Sequence, residues 1–508
     1  MGIMKWLVLF TMVGYIFHRI GNIIHHVFKK FGWTGWWDKA SKLTRKTLIN
    51  LVVGLGIMMV IVGFQDWPWM IEAEDASMDW IMELNQKIIP AREGTPPFVY
   101  LDIDNKTFSS WGEPLFTPRD KLKNLIKTAV EAEDKPKIII VDVDVSQPTP
   151  ILDKSKLHPA DQELKDYLES YAKNCDENCP PIILARAFKV QFDNDESYPE
   201  PRTGFLEEVV KNGAPHLQWA SAHFFHADDM VIRRWMLWQP ACKEVDGVKE
   251  SFISPSFELI TMSHLTENCS IAKMQQELKQ LLPKRCDKYE PIALKNFELC
   301  GLDTSTDILS IHQRVDYKMP WLSANDGLEE SNTLVSQIDE DVLTIFSAEH
   351  FAESRTSVTN ENLTKLKGSI VVIGGSYRDA RDTHITPLEE MPGALVIINA
   401  INTLLTLDGG TIKPLWIGWR LLMMAGIIVV LSFILVKVQS AFGMMLSGML
   451  FILILLVPAV YFYGLGIWLD FTIPLLMIQL YQMMSDFEEL RQMRKDSLIN
   501  KKVELNYD

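Results

Sequence analysis

Four aspartates sit where strands should end. Asp102 and Asp104 close the run "FVYLDID", and Asp142 and Asp144 lie in "KIIIVDVDVS". Carboxylates at the carboxyl ends of neighbouring parallel strands fall where α/β sheets place their ligands. Oxygen ligands clustered in this way suit a divalent cation. The competing reading is structural: aspartates cap helices and make turns, and these four have Arg233, Arg234 and Arg381 available as ion-pair partners. A further run, "IVVIGG", ends in Gly374 and Gly375 and continues into "SYRDARDTH". A phosphate loop needs glycines leading into a helix and a closing Gly-Lys-Ser or Gly-Lys-Thr, and a dinucleotide site needs a third, spaced glycine. Neither is present. The charges that follow instead, Arg378, Asp379, Arg381 and Asp382, predict a tight strand exit held by Arg–Asp pairs, with a small-ligand site as the alternative. In "HFFHADD", His223 and His226 point to opposite faces of a strand and cannot share a metal, so this run predicts a turn. No Ser-His-Asp set, zinc-ligand set or cofactor motif is visible, and neither catalysis, a metal nor a cofactor is expected.

The elements that must position these residues are legible in part. Phe98–Asp104 predicts a strand and "RDKLKNLIKTAVEAE" an amphipathic helix with Leu122, Leu125, Ile126 and Ala129 on one face. Lys137–Ser146 predicts a second strand, so the series suggests a βαβ unit with the two strands adjacent and parallel. "PIILARAF" predicts a third strand. "HLQWASAHFF" and "MVIRRWMLWQP" flank the turn "HADD" as a hairpin or two short strands. "SPSFELITMSHL" and "KMQQELKQLL" have helical spacing, and "ILSIHQRV" has that of a strand. "SIVVIGGS" is the last strand expected, and "GALVIINAINTLL" a helix after it.

Six cysteines, Cys175, Cys179, Cys242, Cys269, Cys286 and Cys300, all fall in the middle of the chain. An even number confined there suits disulfides in an oxidising compartment. "CDENC" has no matching second pair at zinc spacing, which favours a small Cys175–Cys179 loop. The pairing of the other four stays open.

The chain has 508 residues and a net charge of −15, with an acidic middle and strongly apolar ends. An acidic domain argues against nucleic acid as a partner. Four apolar segments have the length of membrane spans, near 48–64, 415–436, 441–463 and 467–484. Their Arg420, Lys437 and Asp470 sit near the ends, where basic side chains snorkel. Arg and Lys cluster before the first span (Lys39, Lys42, Arg45, Lys46) and after the last (Arg491, Arg494, Lys495), which places both flanks in the cytoplasm. The expected organisation is an amphipathic cytoplasmic or interfacial segment over 1–46, a span over 47–66, an outward domain over 67–412, three spans over 415–484 and a short tail over 485–508. The tail has the spacing of a docking helix.

Taken in order, several of these pieces resemble the CHASE2 domain, an extracytoplasmic sensory module of bacterial signalling proteins. "FVYLDIDNKTF" resembles its opening strand and "IIIVDVDVSQP" its second. "HADDMVIRRWMLWQP" resembles its Asp-rich turn with paired arginines, and "SPSFELI" the helix after it. The most specific piece is "LKGSIVVIGGSYRDARDTHITPLEEMPGALVIINAINTLL", which resembles the closing segment. The resemblance covers roughly 67–484 and implies an α/β domain with a mixed sheet, inserted between one N-terminal and three C-terminal transmembrane helices. It also implies a bacterial inner membrane with the large domain in the periplasm. The chain departs from the common pattern at "FTPRD" and in the cysteine-bearing insertions. Family members usually continue into a cytoplasmic kinase, cyclase or similar effector, for which 485–508 leaves no room.

Two functions follow as expectations. One is a non-catalytic structural or accessory subunit of an inner-membrane assembly, working through contacts with other membrane proteins or with copies of itself. The other is a receptor subunit that binds a periplasmic ligand and signals to a separate effector chain.

Overall fold

The chain divides into two compact units: Met82–Lys413, and the two ends, Met1–Ile81 with Pro414–Asp508. The computed structural model describes residues 41–63, 67–86, 95–152, 156–176, 178–189, 198–245, 247–266, 269–286, 296–321, 334–335, 342–353, 360–407, 411–437 and 455–470.

In the larger unit the strands β1 (Phe98–Ile103), β2 (Ile138–Val141), β3 (Ile182–Ala185), β4 (Leu217–Ala220), β11 (Leu334–Val335), β12 (Leu343–Ser347) and β13 (Ile370–Gly375) form one sheet. Its order is β11-β12-β1-β13-β2-β3-β4. Every pairing is parallel except that of β11 with β12 at the edge, so the sheet is mixed, as expected. The sequence reading fails on one point of topology. β1 and β2 are parallel but not adjacent, because β13 lies between them. Ile370–Ile373 is apolar at every position and buried throughout, and such a run is at home only in the centre of a sheet covered on both faces.

Helices cover both faces. On one lie α4 (Arg119–Val130), α5 (Pro159–Asn174), α6 (Glu207–Asn212) and α9 (Ala348–Glu353). The stripe Leu122, Leu125, Ile126 and Ala129 of α4 is fully buried there, as its spacing requires, against Val99, Leu101, Val371 and Ile373. Burying each Leu or Ile of that stripe is worth about 1.5–3 kcal/mol. On the other face α11 (Gly393–Thr406) packs on β13 and β1, with α7 (Phe257–Leu265) against it. Every residue from Gly393 to Leu404 is buried.

α5 and β12 have no counterpart in the sequence reading, nor has the antiparallel hairpin of β7 (Trp238–Val245) and β8 (Val248–Pro255). "ILSIHQRV" is not a strand: the Ser310 hydroxyl accepts the His312 N–H and turns Ile311–Gln313 into a single 3-10 turn. β5 (Phe224–His226) and β6 (Ile232–Trp235) do form the expected hairpin around "HADD". All six cysteines are paired: Cys175–Cys179, Cys242–Cys286 and Cys269–Cys300. The last two tie β7 and the start of α8 (Ile271–Leu278) to the segments that follow.

In the smaller unit α1 (Lys42–Gly63) packs against α12 (Ile417–Lys437). Gly54 lets the two helices come close, since a Cβ there would lie 2.6 Å from Ile428 Cγ2. Arg420 pairs with Asp470 at 2.5 Å instead of reaching outward. These two helices coincide with the first two expected spans, but their side chains are described only in part. Among the described residues no helix is long and apolar enough to cross a membrane. The expected spans at 441–463 and 467–484 lie largely outside the described residues, as do the tail and the segment before residue 41.

Candidate functional site

Alternation along three parallel strands puts Tyr100 and Asp102 of β1, Gly374 of β13 and Asp142 after β2 on the face that α11 covers. The register pairs Asp102 with Gly374, and the Asp142 N–H donates to the Ile373 carbonyl at 2.7 Å. Asp102 and Asp142 are therefore two strand spacings apart, about 10 Å between backbones.

Asp102 is engaged at once by its own neighbours. It accepts from the Tyr100 hydroxyl (3.0 Å), the Ser376 N–H (3.0 Å) and the Ser376 hydroxyl (2.6 Å). Burial pushes its carboxyl up to about 7, against the pull of the hydrogen bonds from Ser376 and Tyr100. This is a latch from the end of β1 to the chain leaving β13. Burial, with Asp102 beside it, raises the Tyr100 hydroxyl well above its ordinary value.

The glycines serve closeness. A Cβ on Gly374 would lie 2.6 Å from the Ala394 Cβ, so the strand exit rests directly on the first turn of α11. A Cβ on Gly393 would meet the Asp382 carboxylate at 2.6 Å, and the Gly393 N–H donates to the Asp382 carbonyl at 2.9 Å. No backbone cradle for a phosphate is needed to explain either residue.

Beyond these strand ends opens a cleft of about 770 Å³. Asp142, Val143 and Asp144 come to it from β2, Ala185–Phe188 from β3, Ser221–Phe224 from β4 and Gly375, Tyr377 and Asp382 from β13. Leu115, Phe116 and Arg119 close one side, and Arg202 and Met236 others. Its position, outside the carboxyl ends of a parallel sheet, is the general one for ligands in α/β folds. Asp142 forms part of its floor. Protein encloses this carboxyl on all sides but the cleft, and burial, with Asp382 and Glu258 nearby, pushes it up to about 8. Burial pushes Glu258, at the start of α7, up to about 7, and pulls the His223 ring down to about 4.

Of the residues singled out by sequence, Asp142, Asp144, His223, Gly375 and Asp382 line this cleft and the others do not. Asp104 caps α3 (Asn105–Ser110), accepting the Thr107 N–H at 2.7 Å. Asp144 accepts the Ser146 N–H at 2.9 Å and pairs with Arg202 at 3.2 Å. Arg233 makes a two-pronged pair with Asp229, at 2.9 and 2.8 Å. Arg234 is buried in β6, in an isolated bridge to Arg314. Arg378, Asp379 and Arg381 are exposed. Among the described residues they form no ion pairs with one another or with Asp382, whose partner is His384 Nε2 at 3.0 Å. The expected Arg–Asp clasp is thus absent, because Ser376 and the backbone of Arg381, in the left-handed region at φ 52°, already shape the exit. Among the described residues no three His, Cys, Asp or Glu side chains converge to hold a metal ion. His223 is buried beside β5, whereas His226 is exposed, so the two do not meet.

Arg119, His223, Glu258 and Arg202 line or border the cleft without having been expected there. Arg119 could have been suspected from "TPRD", where a proline marks a helix start with a long cation in its first turn. No local pattern distinguishes the other three.

A model of the CHASE2 domain family matches residues 54–436. No curated protein matches the chain, and no solved structure does.

Proposed function

The chain belongs to the CHASE2 domain family, and we propose that it is a sensing subunit, non-catalytic, whose larger unit binds a ligand on the far side of a bacterial inner membrane. In this reading α1 and α12 lie in that membrane with the spans after them, and the effector is a separate chain. The family, one of extracytoplasmic sensory domains, favours sensing over a purely structural or accessory role. Three disulfides suit an oxidising compartment.

The observation that carries the reading is the sharing of Asp382 between the cleft and the first turn of α11. A ligand that draws on Asp382 acts directly on Gly393. In chain order α12 is the next helix after α11. Such a ligand drives a change only by binding the two positions of α11 with different strength. The test is recovery of the full chain from its own membranes in mild detergent, with mass spectrometry of what accompanies it. A substoichiometric kinase, cyclase or response component is expected. A large assembly of fixed stoichiometry, unchanged by Asp142→Asn or Asp382→Asn, would return the protein to the accessory role.

A further inference from the structure

Charges around the cleft are matched on the walls, while on the floor Asp382 has His384 Nε2 at 3.0 Å and Asp142 is unmatched. Arg186 is held by Glu207 at 2.9 Å and lies over the Trp219 ring at 4.9 Å. Arg202 is held by Asp144 at 3.2 Å and Arg119 by the buried Asp161 at 3.7 Å. The Asp142 carboxylate has no hydrogen bond or ion pair among the described residues. The ionisable groups facing it are Tyr100 from β1, Asp382 from the exit of β13 and Glu258 from α7. None of these is a cation. Glu258 is 0% exposed, and neither of its carboxyl oxygens has a hydrogen-bond partner of good geometry.

A further acceptor stands in the wall. His223 is 4% exposed and lines the cleft. Burial holds its ring neutral, and Nε2 has no hydrogen-bond partner. With the proton on Nδ1, Nε2 of the neutral ring offers a lone pair to a donor in the cleft. Phe116, Phe188, Phe224 and Tyr377 complete the lining, and aromatic faces attract ammonium groups.

On the sensing reading above, we propose that the cleft takes a small organic amine, its ammonium seated between Asp142 and Asp382 and its apolar body against the aromatic wall. A bare metal ion is the poorer fit, because three convergent ligands are lacking among the described residues. Arg119 Nη1, buried and without a hydrogen-bond partner, accommodates one acceptor atom on the ligand, such as a hydroxyl. It does not call for a full negative charge, since Asp161 already balances it. With burial pushing Asp142 up to about 8, the empty floor holds a proton at neutral pH, and an incoming ammonium displaces it. Affinity therefore falls as pH drops below about 8, by up to tenfold per pH unit.

The test is calorimetric titration of the detergent-purified full chain with tyramine and butane-1,4-diamine, against 3-(4-hydroxyphenyl)propionate, which keeps the body of tyramine and reverses its charge. Saturable binding of at least one amine with a Kd of about 1 mM or tighter is expected at pH 8, with none of the propionate. At pH 6 binding weakens at least tenfold, and titration in two buffers of different ionisation enthalpy shows a proton released. Asp142→Asn and Asp382→Asn each cost at least tenfold while leaving the thermal midpoint within a few degrees. If either variant fails to fold, the proton release and pH dependence of the wild-type chain decide. Binding of the propionate alone overturns the amine class and leaves sensing intact. Failure of both amines overturns the amine class as well, and the recovery of an effector then judges sensing separately. Amine binding unaffected by both substitutions, or without pH dependence, overturns the assignment of the floor.

Discussion

Gly374→Ala tests the contact between the exit of β13 and the first turn of α11. The new Cβ would lie 2.6 Å from the Ala394 Cβ and 3.7 Å from both Asp142 Cβ and Tyr100 Cε2. The last two are ordinary contacts; the first is about 1 Å too close for two carbons. Ala394 sits in the buried first turn of α11, so relief requires α11 and β13 to separate, at a cost of about 2 kcal/mol. Ala394→Gly removes the opposing methyl. Alone it costs about 2 kcal/mol, from the lost buried carbon and the poorer helix propensity. Together the two changes exchange which residue carries the methyl and restore the spacing. The double variant is then expected near 2 kcal/mol, not the additive 4, a coupling of about 2 kcal/mol. In a unit of this size each kcal/mol shifts the thermal midpoint by roughly 2 °C. Melting followed by tryptophan fluorescence should thus show losses of about 4 °C for each single variant and for the pair. An additive loss of about 8 °C, or a silent Gly374→Ala, would mean that the strand exit does not rest on α11.

Gly204→Ala should prevent folding altogether, since its Cβ would fall 1.6 Å from the Ser146 carbonyl oxygen; loss of protease-resistant protein checks this. Asp102, Asp142 and Glu258 all have folded-state values raised above the ordinary carboxylate range. Their stabilisation is complete below about pH 4 and lost as pH rises through about 7 to 8. The difference in thermal midpoint between wild type and Asp142→Asn should therefore narrow or reverse from pH 5 to pH 9, and a difference independent of pH would contradict the burial of this acid. The Cys242–Cys286 and Cys269–Cys300 bonds close loops with separations of 44 and 31, so each contributes about 4 kcal/mol by loop entropy. Cys269→Ala with Cys300→Ala should lower the midpoint by several degrees and open α8 to proteolysis, while Cys175→Ala with Cys179→Ala should do far less. Asn399→Ala should cost about 3 kcal/mol, because the Asn399 side chain accepts the N–H groups of Lys318 and Met319, each at 2.9 Å.

Long periodic segments and continuous apolar runs were the legible part of this fold. α4 carries its stripe openly, β1 and β13 are apolar enough to require burial, and Gly393–Leu405 reads as the helix it is. What escaped was arrangement. Nothing local in "KIIIVDV" says that a strand more than two hundred residues later inserts beside it, and that insertion separates Asp102 from Asp142. α5 was hidden by a polar composition, since only Leu164, Leu168 and the Tyr167–Tyr171 side face the sheet. The fate of each aspartate was equally invisible. All four stand at strand ends, yet Asp104 is consumed by a cap, Asp144 by a turn and an arginine, and Asp102 by Ser376. Only the folded surroundings of each strand end decide which carboxylate is left over.

That leftover is Asp142, and its position explains why the glycines and the acids belong to one device. A strand exit held at 2.6 Å from a helix transmits displacement, because close-packed atoms cannot absorb it by compressing. An acid that keeps its proton at neutral pH adds little field until something takes the proton away. Placing such an acid beside Asp382, which contacts Gly393 through both its backbone and its carboxylate, makes the first turn of α11 sensitive to whether the floor is charged. Neutral Asp142 leaves Asp382 at ease with the helix N-terminus, whose partial positive charge favours an anion there. Ionised and unpaired, Asp142 repels Asp382 and loosens that contact; ionised and bridged by a cation, the two acids draw together instead. The empty, deprotonated and occupied floors thus exert different forces on one buried helix, which is the differential interaction that a sensor requires.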